Sequence, residues 1–131
     1  MLGEARREGV ILGFHNHAAE FLPVDGEPAF GRFLDETDPK LMQIELDCYW
    51  VTKAGHDPVA WLRRWPGRTP ALHIKDMAMG GGFADVGAGT IDWPRIFRER
   101  KRAGVKHFLV EHDQPKDELA TARAPYDYLR A

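Results

Sequence analysis

Apolar residues gather in four short runs: Gly9–His15 ("GVILGFH"), Leu41–Asp47 ("LMQIELD"), Pro70–Asp76 ("PALHIKD") and Val105–His112 ("VKHFLVEH"). Each run ends in polar or charged residues, the pattern of a parallel strand covered on both faces. Between the runs, apolar positions recur at helical spacing. Residues 28–36 carry Phe30, Phe33 and Leu34 on one face. Residues 57–65 open with Asp57 as N-cap and Pro58 in the first turn. Residues 92–103 open with Asp92, place Trp93, Ile96 and Phe97 on one side and stop at Gly104. A last helix over 116–130 is expected to be interrupted at Pro125. The opening segment "MLGEARREG" (1–9) predicts a short charged helix rather than a signal peptide.

The strands recur roughly every 30 residues, the size of one βα unit. Alternation of this kind predicts an α/β fold with parallel strands and right-handed crossovers. With no linker or break in composition, residues 1–131 are expected to form a single domain. The loop "MAMGGGFADVGAGTI" (77–91) is long enough to act as a lid or to be a plain connection, and it looks mobile at Gly80–Gly82.

Composition narrows the functions. Apolar residues make up 44% and charged residues 29% of the 131, an ordinary globular balance. The net charge of −2 provides no basic field for nucleic acid or anionic lipid. No apolar run approaches the roughly 20 residues needed to cross a bilayer. The single cysteine, Cys48, excludes an internal disulfide framework. These features predict a soluble cytoplasmic protein that binds neither nucleic acid nor membrane.

The candidate chemistry lies at the strand ends. Residues i and i+2 of a strand face the same way, so His15 pairs with His17, Glu45 with Asp47, His73 with Lys75 and Glu111 with Asp113. All four pairs fall at the C-terminal edge of the sheet, where parallel α/β folds bind ligands. Imidazoles and carboxylates together suit a borderline divalent cation such as Mn²⁺, Zn²⁺, Co²⁺ or Fe²⁺. Each residue has a plainer explanation. His73 could be a hydrogen-bonded core histidine and Glu111 a salt-bridge partner. Asp47 and Asp76 could cap turns, and Glu45 could be a polar residue near the floor of the sheet. His56, His107 and His112 fall off the pattern and read as surface or packing residues.

The segments "GFHNHAAEF", "ELDCYWVTKAG", "HIKDM", "VGAGTIDW" and "FLVEHD" occur in an order that resembles the xylose isomerase-like sugar phosphate isomerase/epimerase family of TIM barrels. The resemblance runs from about residue 3 to 130 and corresponds to the C-terminal half of the barrel. It implies one divalent metal, manganese first with zinc, cobalt or magnesium as alternatives, held by Asp47, His73 and Glu111. Many members add a glutamate on the preceding strand. Here that position is Gly13, which cannot coordinate, so His15 is the first choice as replacement and His17 the second. Trp50 stands where several epimerases have a substrate-contacting histidine, which favours an isomerase or dehydratase over a ketose epimerase. The implied chemistry is proton abstraction beside the carbonyl of a sugar or sugar phosphate. Glu111 and His15 or His17 would move the proton, and Lys75 would face the substrate oxygens.

A full barrel needs eight βα units and about 250 residues. Four units are expected here, a half-barrel with two unpaired edges and an apolar inner face, which favours a homodimer. Two further functions compete: an inactive half-barrel that binds a sugar or partner, and a metal hydrolase of the kind that opens with His-x-His.

Overall fold

A computed structural model describes residues 2–130, with the side chain of Leu2 outside the description. Its strands, in chain order, are β1 (Gly13–His15), β2 (Pro23–Val24), β3 (Glu27–Pro28), β4 (Gln43–Asp47), β5 (Ala71–Ile74), β6 (Asp76–Met77), β7 (Phe83–Ala84) and β8 (His107–Val110). The helices are α1 (Leu2–Arg7), α2 (Ala29–Glu36), α3 (Cys48–Lys53), α4 (Pro58–Arg64), α5 (Trp93–Arg98), α6 (Arg100–Ala103) and α7 (Glu118–Arg130). Four strands form one parallel sheet in the order β1-β4-β5-β8, so every neighbour in space is the next main strand in sequence. Among the described residues no helix is long and apolar enough to cross a membrane.

The two faces of the sheet differ sharply. Ile44, Leu46, Leu72 and Ile74 are each at most 2% exposed and pack against the helices. There they join Phe30, Leu34, Leu62 and Trp93, and Phe30 stacks on Trp61 with centroids 5.4 Å apart. The alternate residues, His15, Glu45 and His73, face the other way and are only partly buried. This corrects the expectation of an apolar inner face. The large apolar side chains of the central strands are on the helix side because the inner face is given over to polar groups. Exposed apolar residues sit instead on the edge strand β8, at Phe108, Leu109 and Val110, and before β1, at Val10 and Ile11.

Several boundaries differ from the pattern-based expectation. Residues 9–12 do not join the ladder as strand, although the Leu12 carbonyl still accepts from Gln43 N at 2.8 Å. The 92–103 helix breaks at Glu99, whose N–H turns back to Ile96 O, an i→i−3 bond that tightens the turn. Helix α7 runs through Pro125 rather than stopping there. Pro125 is its one buried residue among those described, so packing of the ring offsets the lost backbone bond. Helix α3 and the two-residue pairings β2·β3 and β6·β7 were not foreseen. Buried Arg68 donates to the carbonyls of Met42 and Thr37 and to Leu34 O, joining the C-terminus of α2 to the entry of β4.

The glycine-rich segment 77–91 is tied down rather than free. Asp76, fully buried, accepts from the backbone N–H groups of Met77, Gly87, Gly89 and Ile91 and from the indole N–H of Trp93. A carboxylate can leave water at this cost only because so many donors surround it. Gly89 is glycine because a Cβ there would lie 2.2 Å from Asp76 Oδ1. At the tip, Gly81 has φ +78° and its carbonyl accepts from the Tyr49 hydroxyl (3.0 Å) and Lys53 Nζ (2.5 Å). Asp76→Ala would strand five donors, the buried indole N–H of Trp93 among them, and we expect it to cost about 3 kcal/mol in chemical denaturation. Gly89→Ala is expected to destabilise by the same route, through its clash with the Asp76 carboxylate. A wild-type denaturation midpoint for both variants would refute this account of the loop.

Candidate functional site

Asp47 organises the site by dividing its two oxygens. Oδ1 accepts from Trp50 N at 3.0 Å and caps α3, which starts at the next residue. Oδ2 is buried and has no hydrogen-bond partner. It faces Lys75 Nζ at 3.5 Å and His15 Nε2 at 3.9 Å. The backbone of Asp47 is clamped by Asn16, whose amide oxygen accepts from Asp47 N (2.9 Å) while its nitrogen donates to Asp47 O (3.3 Å). Asn16 is fully buried and extends the β1·β4 pairing beyond His15.

Strand register assembles the rest. His15 lies opposite Glu45, and Asp47 opposite His73. The His73 ring lies between two carboxylates, with Nδ1 2.6 Å from Glu111 Oε2 and Nε2 2.5 Å from Glu45 Oε1. Lys75, 3% exposed, has its ammonium 2.8 Å from Asp113, 3.3 Å from Glu111 and 3.5 Å from Asp47. Trp50 and Phe83 lie over that ammonium, with ring centroids at 5.6 and 5.8 Å. Phe83, from the 77–91 segment, stacks on Tyr49 at 4.7 Å and so brings the loop over one side of the cluster.

Two overlapping groups of metal-competent donors result. Asp47, His73 and Glu111 each offer an atom within 4.8 Å of the others, and so do His15, Glu45 and His73. Four carboxylates (Glu45, Asp47, Glu111, Asp113) converge on one ammonium and two imidazoles. A divalent cation fits this balance, and the unpartnered Asp47 Oδ2 is an acceptor in want of one. His17 lies outside both groups. It is exposed, its ring 4.8 Å from His15 and 5.3 Å from Trp50, and its backbone N–H donates to Glu20. His56 packs against Phe21 and Trp61, His107 is exposed, and His112 lies beside Phe83. A cavity of about 410 Å³ lies elsewhere, between Ile74, Phe97, Phe108 and Leu129. Its apolar lining suits packing rather than the chemistry of the cluster.

The charges adjust to these surroundings. Burial pushes the Asp47 carboxyl above its usual range, although Trp50 N–H and the Lys75 charge work against the shift. Burial alone would raise Glu111, but bonds from His73 and Lys75 outweigh it and hold the group low. Burial likewise opposes the charge on Lys75, yet Asp113, Asp47 and Glu111 hold its pKa above the usual value. Burial, with His73 and His17 nearby, lowers His15 against the pull of Glu45 and Glu111. A neutral His15 keeps a lone pair available for a cation or a proton.

Sequence reasoning left three contributors without a site role. Asn16 lies between two histidines that share the other face, so alternation points attention away from it. Glu45 shares a face with Asp47 and was read as part of the floor, yet its side chain reaches His73. Asp113 was paired with Glu111 by parity, and only the fold reveals Lys75 as its partner.

A family profile described as xylose isomerase-like TIM barrel matches residues 1–131. An inosose dehydratase of Bacillus cereus (strain AH820) is 21% identical over 95% of this chain and 46% of its own length. One from Geobacillus kaustophilus (strain HTA426) is 24% identical over 93% and 44%. The chain thus spans about half the length of the curated relatives it matches. Among solved structures, a sugar phosphate isomerase/epimerase from Parabacteroides distasonis ATCC 8503 superposes with a TM-score of 0.81. It is 30% identical over 96% of this chain and 46% of that one. A probable 3-DHS dehydratase from Bacillus anthracis has a TM-score of 0.79 at 15% identity, over 99% and 53%, a likeness of fold.

His15 gives a test of the electrostatics. Its folded pKa lies below the ordinary value of 6.5, so the unfolded chain binds the proton more readily. The stability this ring contributes is fully present above pH 6.5 and is lost as pH falls through the folded value. In metal-free protein the His15 resonances should therefore titrate below pH 6.5, and His15→Phe should flatten the loss of stability in that window. Titration above 6.5 would contradict the charge arrangement described.

Proposed function

The chain belongs to the xylose isomerase-like TIM barrel family, and on that footing we propose that it acts on a sugar or sugar phosphate. The proposed reaction moves a proton next to a carbonyl, as an isomerase/epimerase or a dehydratase, with one divalent cation bound. The observation that carries this reading is the convergence of Asp47, His73 and Glu111 donors within 4.8 Å beside the unpartnered Asp47 Oδ2. The names of the relatives, inosose dehydratase and sugar phosphate isomerase/epimerase, support the same class of substrate.

Asp47, His73 and Glu111 would hold the cation, with His15 at the edge of the set. Manganese is the first choice and zinc, cobalt or magnesium the alternatives. When bound, such an ion supplies Lewis acidity toward carbonyl and hydroxyl oxygens. The chain supplies the proton movers. Glu111, kept ionised by His73 and Lys75, takes a proton from the carbon beside the carbonyl. His17, exposed beside Trp50, gives or takes the second proton at the mouth. In an isomerisation the former carbonyl carbon takes up a proton while the hydroxyl proton passes to the former carbonyl oxygen, so that the carbonyl moves to the neighbouring carbon. In a dehydration the electron pair left behind expels a hydroxyl from the next carbon, which leaves as water with one added proton. Lys75 acts through the carboxylates it touches, spreading positive charge under Glu111 and Asp47 as negative charge develops above them.

The outer strands β1 and β8 each have one unpaired edge among the described residues, and Phe108, Leu109 and Val110 are 40–47% exposed. We assign these edges to a second copy, giving a homodimer. The buried free thiol of Cys48 accords with a reducing cytoplasm, and no nucleic acid or membrane partner is proposed.

Two measurements test the reading. Manganese-loaded protein should exchange the proton next to the carbonyl of a polyhydroxy ketone with D₂O, followed by NMR, and His73→Ala should abolish both the exchange and most metal binding. Metal binding without exchange would favour a sugar-binding half-barrel that is catalytically inactive. Retention of wild-type manganese stoichiometry and affinity by His73→Ala would overturn the metal centre itself. In sedimentation velocity the protein should run as a dimer, and a monodisperse monomer at micromolar concentration would remove the second copy.

A further inference from the structure

The two donor groups share His73, and one imidazole nitrogen offers one lone pair. Nδ1 points to Glu111, on the side of Asp47, whereas Nε2 points to Glu45, on the side of His15. A ring that gives one nitrogen to a cation donates the hydrogen on the other to whatever acceptor faces it. Only one of the two groups can therefore hold the cation through His73, and the carboxylate of the other becomes the acceptor that orients the ring.

Burial decides between them. Asp47 Oδ2 is enclosed with no hydrogen-bond partner and only the Lys75 ammonium facing it, whereas Glu45 is half-buried and already engages His73. Its Oε1 meets His73 Nε2, and its Oε2 lies over Gly13, 3.7 Å from where a Cβ on that residue would be. Gly13 is not among the residues with positive φ, so no turn requires glycine there. A side chain on Gly13 would begin 3.4 Å from Glu45 Cβ and 3.7 Å from its Oε2, and any longer one would crowd the Glu45 carboxylate from the β1 side. Glycine inside a strand often marks such a close approach.

We propose that Glu45 is a positioning residue that accepts the Nε2–H of His73 and presents Nδ1 to the cation held with Asp47 and Glu111, with Gly13 leaving room beside its carboxylate. The inference rests on the metal-centre reading above. It assigns Glu45 a defined task, that of fixing the tautomer and plane of His73.

The test uses zinc alone as probe, because it is diamagnetic. In ¹⁵N-labelled wild-type protein loaded with zinc, the His73 signals, assigned by their absence in His73→Ala, should report ligation at Nδ1 and a retained hydrogen on Nε2. Ligation at Nε2 would overturn the proposal and place the cation with Glu45 and His15 instead, while zinc binding through His73 would still stand. No zinc binding by the wild type at all would overturn both readings. Among variants, Glu45→Leu should weaken zinc binding by about 10- to 100-fold, the scale of losing an orienting partner. Glu45→Gln, which keeps an acceptor oxygen but not the charge, should fall between. Zinc affinity and His73 signals unchanged from wild type in both variants would refute the assignment.

Discussion

The division of labour within the Asp47 carboxylate is the constraint on which the site depends. One oxygen starts α3 by taking the Trp50 N–H, and the other is left enclosed at the sheet edge. A helix cap is worth on the order of 1 kcal/mol, and it fixes the side-chain torsion that aims the second oxygen. Asn16 holds the same residue from the opposite side by both backbone groups. The strand end, the helix start and the functional oxygen are therefore a single rigid unit. This is how a fully buried acid can keep one oxygen without a hydrogen bond: its position is set by the fold, with the Lys75 ammonium 3.5 Å away as counter-charge.

His73 shows the corresponding constraint among neighbours. A neutral imidazole can donate to only one of two carboxylates, so the contacts to Glu45 and Glu111 cannot both carry a hydrogen unless the ring or one acid takes an extra proton. The metal-free cluster is therefore electrostatically frustrated, with Lys75 alone as a fixed cation beneath it. A divalent ion, held as proposed, would relieve the strain by replacing a shared proton with a charge that all the acids could face. The surrounding shell suits this, since Trp50 and Phe83 limit water above Lys75 and strengthen each remaining interaction.

Much of this arrangement was legible in the sequence because two periodicities reinforce each other. Alternation along strands placed His15, Asp47, His73, Lys75 and Glu111 on the inner face, and the βα repeat placed their strands side by side in order. Contacts made between elements were not legible. Nothing local announces that Asn16 reaches the backbone of Asp47, or that Glu45 reaches the ring of His73. Short elements set by a single cap, such as α3, also escaped notice, because six residues carry too little periodic signal to stand out from the strand before them. Pro125 misled for the opposite reason, since a strong local breaker was outweighed by burial.

The placement of the ligands across the sheet has one more consequence. Asp47, His73 and Lys75 come from β4 or β5 or the turn just after, and both strands are hydrogen-bonded on either side. His15 and Glu111 come from β1 and the end of β8, each of which has one free edge. The inner donors are thus set by the ladder, while the outer ones share whatever freedom the edges retain. A cation that draws Glu111 toward Asp47 and His73 would tie the end of β8 to β5, and ordering β8 in turn prepares the edge that a second copy would meet. Under the proposed function, metal binding and pairing with a second copy would stabilise one another through the same strand, each lowering the entropic cost of the other.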